Sequence, residues 1–431
     1  MVIEPKTKKG KIMNKLLYYL FTLLILAGPV SVTSQWMEQT SGITTSLNSV
    51  SGVNDNIAWV AGNAGRVIRT NNGGTEWINA TGTGIPTTLD LYNIFATDST
   101  TALVTGSNTT AFVYRTTNGG LTWVQVFTQA GGFLNAIWMS SPLNGVMIGD
   151  PVGGRWSLWR TANGGVNWDS TGMYIQQAGS EAGWNNSLYM SGTNIWFGTN
   201  NSRVYYSPLS GLAGTWVVQS TSQASSYALW FNTVTSGMTG GTQLLMTNNS
   251  GVNWTAVTSP GTGNVSGITG SATAYWFVRQ AGAIYRTTDN GVSFSTDYTA
   301  PAGTYTHIQK AATGSRMWAV RNNGGVSSSL STVGIEPISG EIPVNFALSQ
   351  NYPNPFNPAT IINFSIPASS IVSLKIYDIA GREVDVIANN VMMSAGTYSV
   401  NYSADRLSSG VYFYRIIAGE FTETKKMVLT R

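Results

Sequence analysis

Thr70-Asn-Asn72-Gly-Gly74-Thr-Glu-Trp77, Thr116-Thr-Asn118-Gly-Gly120-Leu-Thr-Trp123 and Thr161-Ala-Asn163-Gly-Gly165-Val-Asn-Trp168 are one phrase written three times. It returns as Thr247-Asn-Asn249-Ser-Gly251-Val-Asn-Trp254 and Thr287-Thr-Asp289-Asn-Gly291-Val-Ser-Phe294, with a degenerate copy from Ser207 to Trp216. A period of this kind decides the fold, because each copy is a unit that must stack on its neighbours to bury a core. The chemistry of the phrase is local. An Asn or Asp side chain folds back on the following backbone amides, Gly supplies a left-handed turn, and the aromatic packs beneath. The phrase predicts a lock between the third and outermost strands of a repeated sheet, and not an active site. Arg69, Arg115, Arg160 and Arg286 stand just before the Thr and belong to the same repeat.

An apolar second strand precedes each copy, at Ile57 to Gly62, Ala102 to Gly106, Gly145 to Gly149, Asn194 to Gly198, Ser236 to Gly240, Ala274 to Val278 and Met317 to Val320, seven in all. The outermost strand, marked by its aromatic, follows only six times, at Trp77, Trp123, Trp168, Trp216, Trp254 and Phe294. The missing one lies at the other end of the chain, in Gln35-Trp36-Met37-Glu38-Gln39. Four strands to a sheet, in a ring that leaves no free edge, is the propeller solution. The expected fold is all-β: a seven-bladed β-propeller over residues 35–331 closed by its N-terminal strand, a linker at 332–343, and a small C-terminal β-sandwich over 344–431.

The phrase resembles the Asp-box of sialidase-type propellers. Glu181-Ala-Gly183-Trp184 running into Ser191-Gly-Thr193, with the repeats around it, is similar to the photosystem II stability and assembly factor propellers. That resemblance implies the fold and, as one alternative, an envelope-assembly scaffold.

From Val344 onward the chain alternates apolar and polar residues in short runs, Ile361 to Ile366, Val372 to Tyr377, Thr397 to Tyr402, Val411 to Ile417 and Lys425 to Leu429, separated by turn signals such as Asn357-Pro358 and Ala380-Gly381. A period of two marks half-buried strands, and several at this spacing make a small antiparallel sandwich. The plain reading is an immunoglobulin-like module. The succession Gln350-Asn-Tyr352-Pro-Asn-Pro-Phe356-Asn-Pro358, Ile376-Tyr-Asp378-Ile-Ala-Gly381-Arg382, Ser409-Gly-Val411-Tyr-Phe-Tyr-Arg415 and Lys425-Lys-Met-Val-Leu429 resembles the type A C-terminal sorting domain of the type IX secretion system. The resemblance implies recognition by an outer-membrane translocon, with removal by a surface sortase and anchoring to lipopolysaccharide often following. The expected location is extracellular or on the outer-membrane surface, after passage through the periplasm.

The other end agrees. Five lysines, Lys6 to Lys15, precede an apolar run from Leu16 to Ala27, broken by Gly28-Pro29 and followed by small residues to Ser34. That is the pattern of a signal peptide, residues 1–34. Its core is well short of the roughly 20 residues a membrane span needs, and the mature chain is expected to have no transmembrane segment. Met13 is an alternative start. Residues 1–34 hold five Lys and one Glu, so the whole net charge of +4 belongs to them; the remainder has 18 basic (23−5) and 18 acidic (19−1) residues. A nucleic-acid partner needs a basic stripe on the surface, and Lys310 is the only lysine between Gln35 and Ile335. With no cysteine in the chain, thiolate metal sites and disulfides are excluded, and no motif calls for a cofactor.

Sialidases need an arginine triad, a Tyr/Glu pair and an Asp, and no Arg-Ile-Pro motif appears. His307, the sole histidine, stands in an inner-strand register and reads as structural or tunnel-lining. One constellation departs from the repeat. The loop Asp150-Pro-Val-Gly-Gly-Arg155-Trp156 is longer than its equivalents, and the long connection after blade three ends in Glu181, Trp184, Asn185 and Asn186. Both insertions are expected on the face opposite the repeated turns, where functional residues gather on loops. The candidate ligand site is therefore Asp150, Arg155, Trp156, Glu181, Trp184 and Asn185, with Trp156 or Trp184 as a stacking platform for a glycan. An Asp150–Arg155 or Glu181–Arg155 ion pair tying the insertion down is the plainer alternative. A glycosidase would instead set Asp150 and Glu181 about 5 to 9.5 Å apart. A binding or adhesion module with a glycan or surface-protein ligand is the reading these residues favour.

Overall fold

The computed structural model describes residues 35–208, 210–330, 335–339, 342–393, 395–404 and 407–430. The expected signal peptide lies outside them. The chain divides into two compact units between residues 331 and 332. No described helix is long and apolar enough to cross a membrane, which says nothing of β-barrels.

Among its described residues the first unit is built of seven antiparallel sheets. Blade 1 comprises Leu47–Gly52, Ala58–Gly62, Val67–Thr70 and Ile78–Asn79. Blade 2 comprises Asp90–Ala96, Ala102–Ser107, Thr110–Thr116 and Val124–Ala130. Blades 4, 5 and 6 repeat the order from Leu188, Ala228 and Val265. Blade 7, Tyr305–Lys310, Met317–Arg321 and Val326–Leu330, takes its outer strand from Gln35–Gln39, in the register Gln35 to Leu330 and Gln39 to Val326. The propeller has no single central core. Seven apolar clusters instead lie between successive blades, the one that joins Trp318 and Val320 of blade 7 to Val50 and Val60 of blade 1 completing the circle.

The repeated turn is uniform. The Thr hydroxyl accepts the amide of the second Gly, at 2.8 Å for Gly74 and 3.1 Å for Gly120. The Asn carbonyl accepts the amide four residues on, at 3.0 Å for Asn72 to Glu76 and for Asn118 to Thr122. Gly120 sits at φ +81°, where a Cβ would also lie 2.3 Å from the Ala80 carbonyl. The turns peg blades together: Arg69 Nε donates to Gly119 O of the next blade (3.0 Å), Arg115 Nε to Gly164 O (2.7 Å) and Arg316 to Gly73 O (3.0 Å). Arg160 and Arg286 turn instead to Asp169 and Asp297, each at 3.6 Å.

The closing strand is fastened by polar contacts. Trp36 Nε1 donates to Asp297 (2.7 Å), Gln39 bridges Gly73 O and Ser328, and Glu38 pairs with Arg321 while accepting from Ser327 and Tyr298.

Blade 3 departs from the expectation of an outer strand at Trp168. It has three strands, Leu134–Met139, Gly145–Val152 and Arg155–Thr161. Its outer position is held only by single bridges at Arg160–Asp169 and Arg155–Gln176. Between them, Asp169 accepts the Thr171 amide and Met173 N donates to Ser170 O, a turn that throws the ladder out of register.

Among its described residues the second unit has two four-stranded antiparallel sheets. Phe364, Val400, Leu374, Tyr414, Ile416 and Met427 are among its buried residues. The Asn354-Pro-Phe356 segment is pinned to the last strand, Phe356 N donating to Val428 O and Thr430 N to Phe356 O. Asp378 caps its own turn by accepting the amides of Ala380 and Arg382 and pairs with the Arg382 guanidinium at 2.7 Å. The stretch expected as a linker contributes Ile335–Ser339, an edge strand on Gly396–Ser403; an open sheet edge takes up an extended segment lying beside it.

Candidate functional site

The structure does not bring the six candidate residues together. Trp156 is fully buried and cannot serve as a platform; its Nε1 points at Glu181 (3.3 Å). Glu181 is itself enclosed, 2% exposed. Its carboxylate takes Arg203 Nε at 3.0 Å, Tyr205 OH at 2.9 Å and Ala178 N at 3.1 Å. It ties blade 3 to blade 4, an anion paired and hydrogen-bonded as burial requires. Neither ion pair with Arg155 forms. Arg155 leans the other way, over the Tyr174 ring at 5.6 Å, and donates to Met173 O. With its carboxylate enclosed, Glu181 does not face Asp150 as the second carboxyl of a hydrolytic pair.

Asp150 is a support. It accepts the Gly183 amide at 2.7 Å, which fixes the long connection after blade 3. Burial raises its pKa, partly offset by the Gly183 amide and the Asn135 side chain.

Trp184 and Asn185 do share a cavity. The connection that carries them crosses the axis of the ring, and Asn186 holds it there. Asn186 Oδ1 accepts Ser49 of blade 1 and Asn93 of blade 2, both at 2.7 Å, and its amide donates to Asn135 O of blade 3. Its φ of +65° is one that Asn tolerates better than most residues. Asn186 was not among the six; the Asn-Asn pair ending the connection was the only sign of it. Above this plug lies a cavity of about 450 Å³, lined by Asn48, Asn63, Asp90, Tyr92, Trp184, Asn185, Gln280 and Thr306. These come from blades 1, 2, 6 and 7 and from the connection, so the cavity is the axial mouth on the face away from the repeated turns. Trp184 is half-buried and rests on Tyr227, centroids 4.1 Å apart. Asn185 Oδ1 is buried with no hydrogen-bond partner. Asn48 is fully engaged, with Asn63 (2.7 Å), Leu91 O and Ser46. Asp90 accepts the Ala64 amide. Burial, and then Asp90, raise the Tyr92 phenol, which stays neutral.

His307 lies between blades 7 and 1, where its Nδ1 accepts Val50 N at 3.1 Å. Burial pushes its imidazole down to about 3. It is held as a neutral acceptor in the wall between two blades.

Residues 350–430 match the family model described as a secretion system C-terminal sorting domain. No curated protein sequence is significantly similar to the chain. Among solved structures, a YCF48 bound to a D1 peptide superimposes with a TM-score of 0.55 at 16% identity, over 69% of this chain and 97% of that one. YCF48 from Cyanidioschyzon merolae gives 0.53 at 18%, over 68% and 98%, and the WD40 β-propeller domain of Doa1 gives 0.53 at 10%, over 68% and 96%. At such identities the likeness speaks for the fold. The chain is a β-propeller followed by a type IX secretion C-terminal sorting domain, which implies export to the cell surface or release from the cell.

Proposed function

We propose that the propeller is an exported binding module whose ligand is a glycan taken at the axial mouth, and that the sorting domain hands it to the type IX translocon and is then removed by a surface sortase. The observation that carries this reading is the company Asn185 keeps. A buried carbonyl oxygen without a partner costs about 1–3 kcal/mol, and here it lines a cavity beside a Trp, several neutral amides and hydroxyls. Sugar hydroxyls would satisfy that oxygen, and an aromatic face receives the apolar side of a sugar ring. Asp90 is the one charged residue of the lining, and with no cation beside it in that lining the mouth suits a hydroxylated ligand that carries no acid.

A second reading has one observation behind it. A propeller of similar fold is described as bound to a D1 peptide, and a peptide would also find amide partners here. Incubating the full mature chain with a broad glycan array, and assaying released sugars in the same samples, separates the readings. Binding without turnover, lost in Trp184→Ala, is expected. Turnover, or silence across the array with capture of a peptide, removes the glycan proposal.

A further inference from the structure

The broken outer edge of blade 3 leaves a second cavity, of about 210 Å³, lined by Gln129, Arg155, Ser157, Trp159 and Ser170 among others. It lies on the flank of the ring, shares no lining residue with the mouth, and has two polar atoms without a partner. Trp159 Nε1 is a buried donor with no partner, and Gln129 Oε1 a buried acceptor with none. The Arg155 guanidinium, which meets the Met173 carbonyl and the Tyr174 ring, is at the other end. No Asp or Glu lines the cavity. Trp156 and Ser157 do not compete for a ligand, since Trp156 Nε1 faces Glu181 and the Ser157 hydroxyl donates to Asp150 O.

Arg155, Ser157 and Trp159 alternate along one strand and share a face. The Cα atoms of Arg155 and Trp159 stand about 13 Å apart at about 3.3 Å per residue. A cation at one end, with an unmatched donor and acceptor at the other, calls for a ligand with an acid at one end and hydroxyls at the other. The volume lies below the roughly 300–1,000 Å³ of drug-sized sites, which limits it to a single unit.

We infer that this flank cavity is a second ligand site, for a sugar acid of the hexuronate type. Its carboxylate meets Arg155, one hydroxyl oxygen accepts from Trp159 Nε1, and another hydroxyl donates to Gln129 Oε1. Guanidinium–carboxylate contacts are charge-assisted and set the affinity, while the two orphaned atoms set the preference for a hydroxylated acid.

The test titrates the full mature chain, labelled with ¹⁵N, with glucuronate, glucose and acetate, following the indole N–H signals. The Trp159 signal is identified by its loss in Trp159→Phe, a change that keeps the ring and the packing. Glucuronate is expected to move that signal and glucose and acetate are not, and Arg155→Met should weaken glucuronate by about tenfold or more. Trp184→Ala should leave the glucuronate response intact, so the mouth can fail while this site stands. An equal response to glucose or acetate, no shift of the Trp159 signal with glucuronate, or glucuronate affinity unchanged in a folded Arg155→Met, overturns the assignment.

Discussion

The two faces of the ring are built by opposite rules. On the face of the repeated turns, the Thr and the Asn or Asp of each full copy satisfy the same two amides, and Arg69, Arg115 and Arg316 peg those turns to the neighbouring blade. On the opposite face the period is interrupted by one long connection, and a buried Asn185 oxygen goes unmatched. Regularity marks where the sequence secures the ring; the Asn185 oxygen differs from the other unmatched buried atoms, Trp168 Nε1 and Trp254 Nε1 of the repeated phrase among them, in belonging to a residue that lines the axial mouth. Glu181 shows that irregularity alone is not function. It lies in the irregular stretch, yet every contact of its carboxylate is internal.

Removing Glu181 should have the largest effect. Glu181→Ala leaves Arg203 and the Tyr205 hydroxyl facing an empty, buried position, and breaking such a pair costs about 3–5 kcal/mol. Denaturant unfolding of the mature chain measures it; a loss under about 1 kcal/mol would place Glu181 back among ligand-facing residues.

His307 ranks next, through pH. Its folded pKa of about 3 lies below the ordinary value near 6.5, so the unfolded chain takes up the proton first. The stability it contributes is full above about pH 6.5 and declines as pH falls toward 3, with a slope approaching about 1.4 kcal/mol per unit. His307→Asn keeps an acceptor for Val50 N and should flatten that part of the profile; parallel pH profiles for the two proteins would contradict the burial.

Thr116→Ala removes the acceptor for Gly120 N on the regular face and should cost about 1–2 kcal/mol without altering any ligand binding. Asn185→Ala is the converse and the least costly. Deleting an unmatched buried oxygen should cost no stability and raise it by up to about 1–3 kcal/mol, while mouth binding is lost. Thermal melts beside binding assays read both, and an Asn185→Ala as costly as Thr116→Ala would erase the contrast between the faces.

Much of the ring was legible because it repeats. The second strands, the turns and the borrowed strand Gln35–Gln39 all carry local signals, a period of two or a fixed turn phrase. The outer strand of blade 3 was misread because Trp168 announces it, while Asp169 to Met173 turns away. Strand Glu383–Met393 was missed because no clean alternation marks it. The site was legible as a neighbourhood and not as a set. Spacing placed two insertions on one face, but which way a side chain points depends on partners far away in sequence. Glu181 found Arg203 and Tyr205, Asn186 found Ser49 and Asn93, and Arg155 found Tyr174. None of these pairings has a sequence signature.

The most direct measurement is a crystal structure of the mature chain with the best uncharged saccharide from the array. The account predicts that sugar in the axial mouth, a ring face against Trp184 and a hydroxyl donating to Asn185 Oδ1. A saccharide seated on the face of the repeated turns, or a mouth left unchanged by a ligand bound elsewhere, would contradict it.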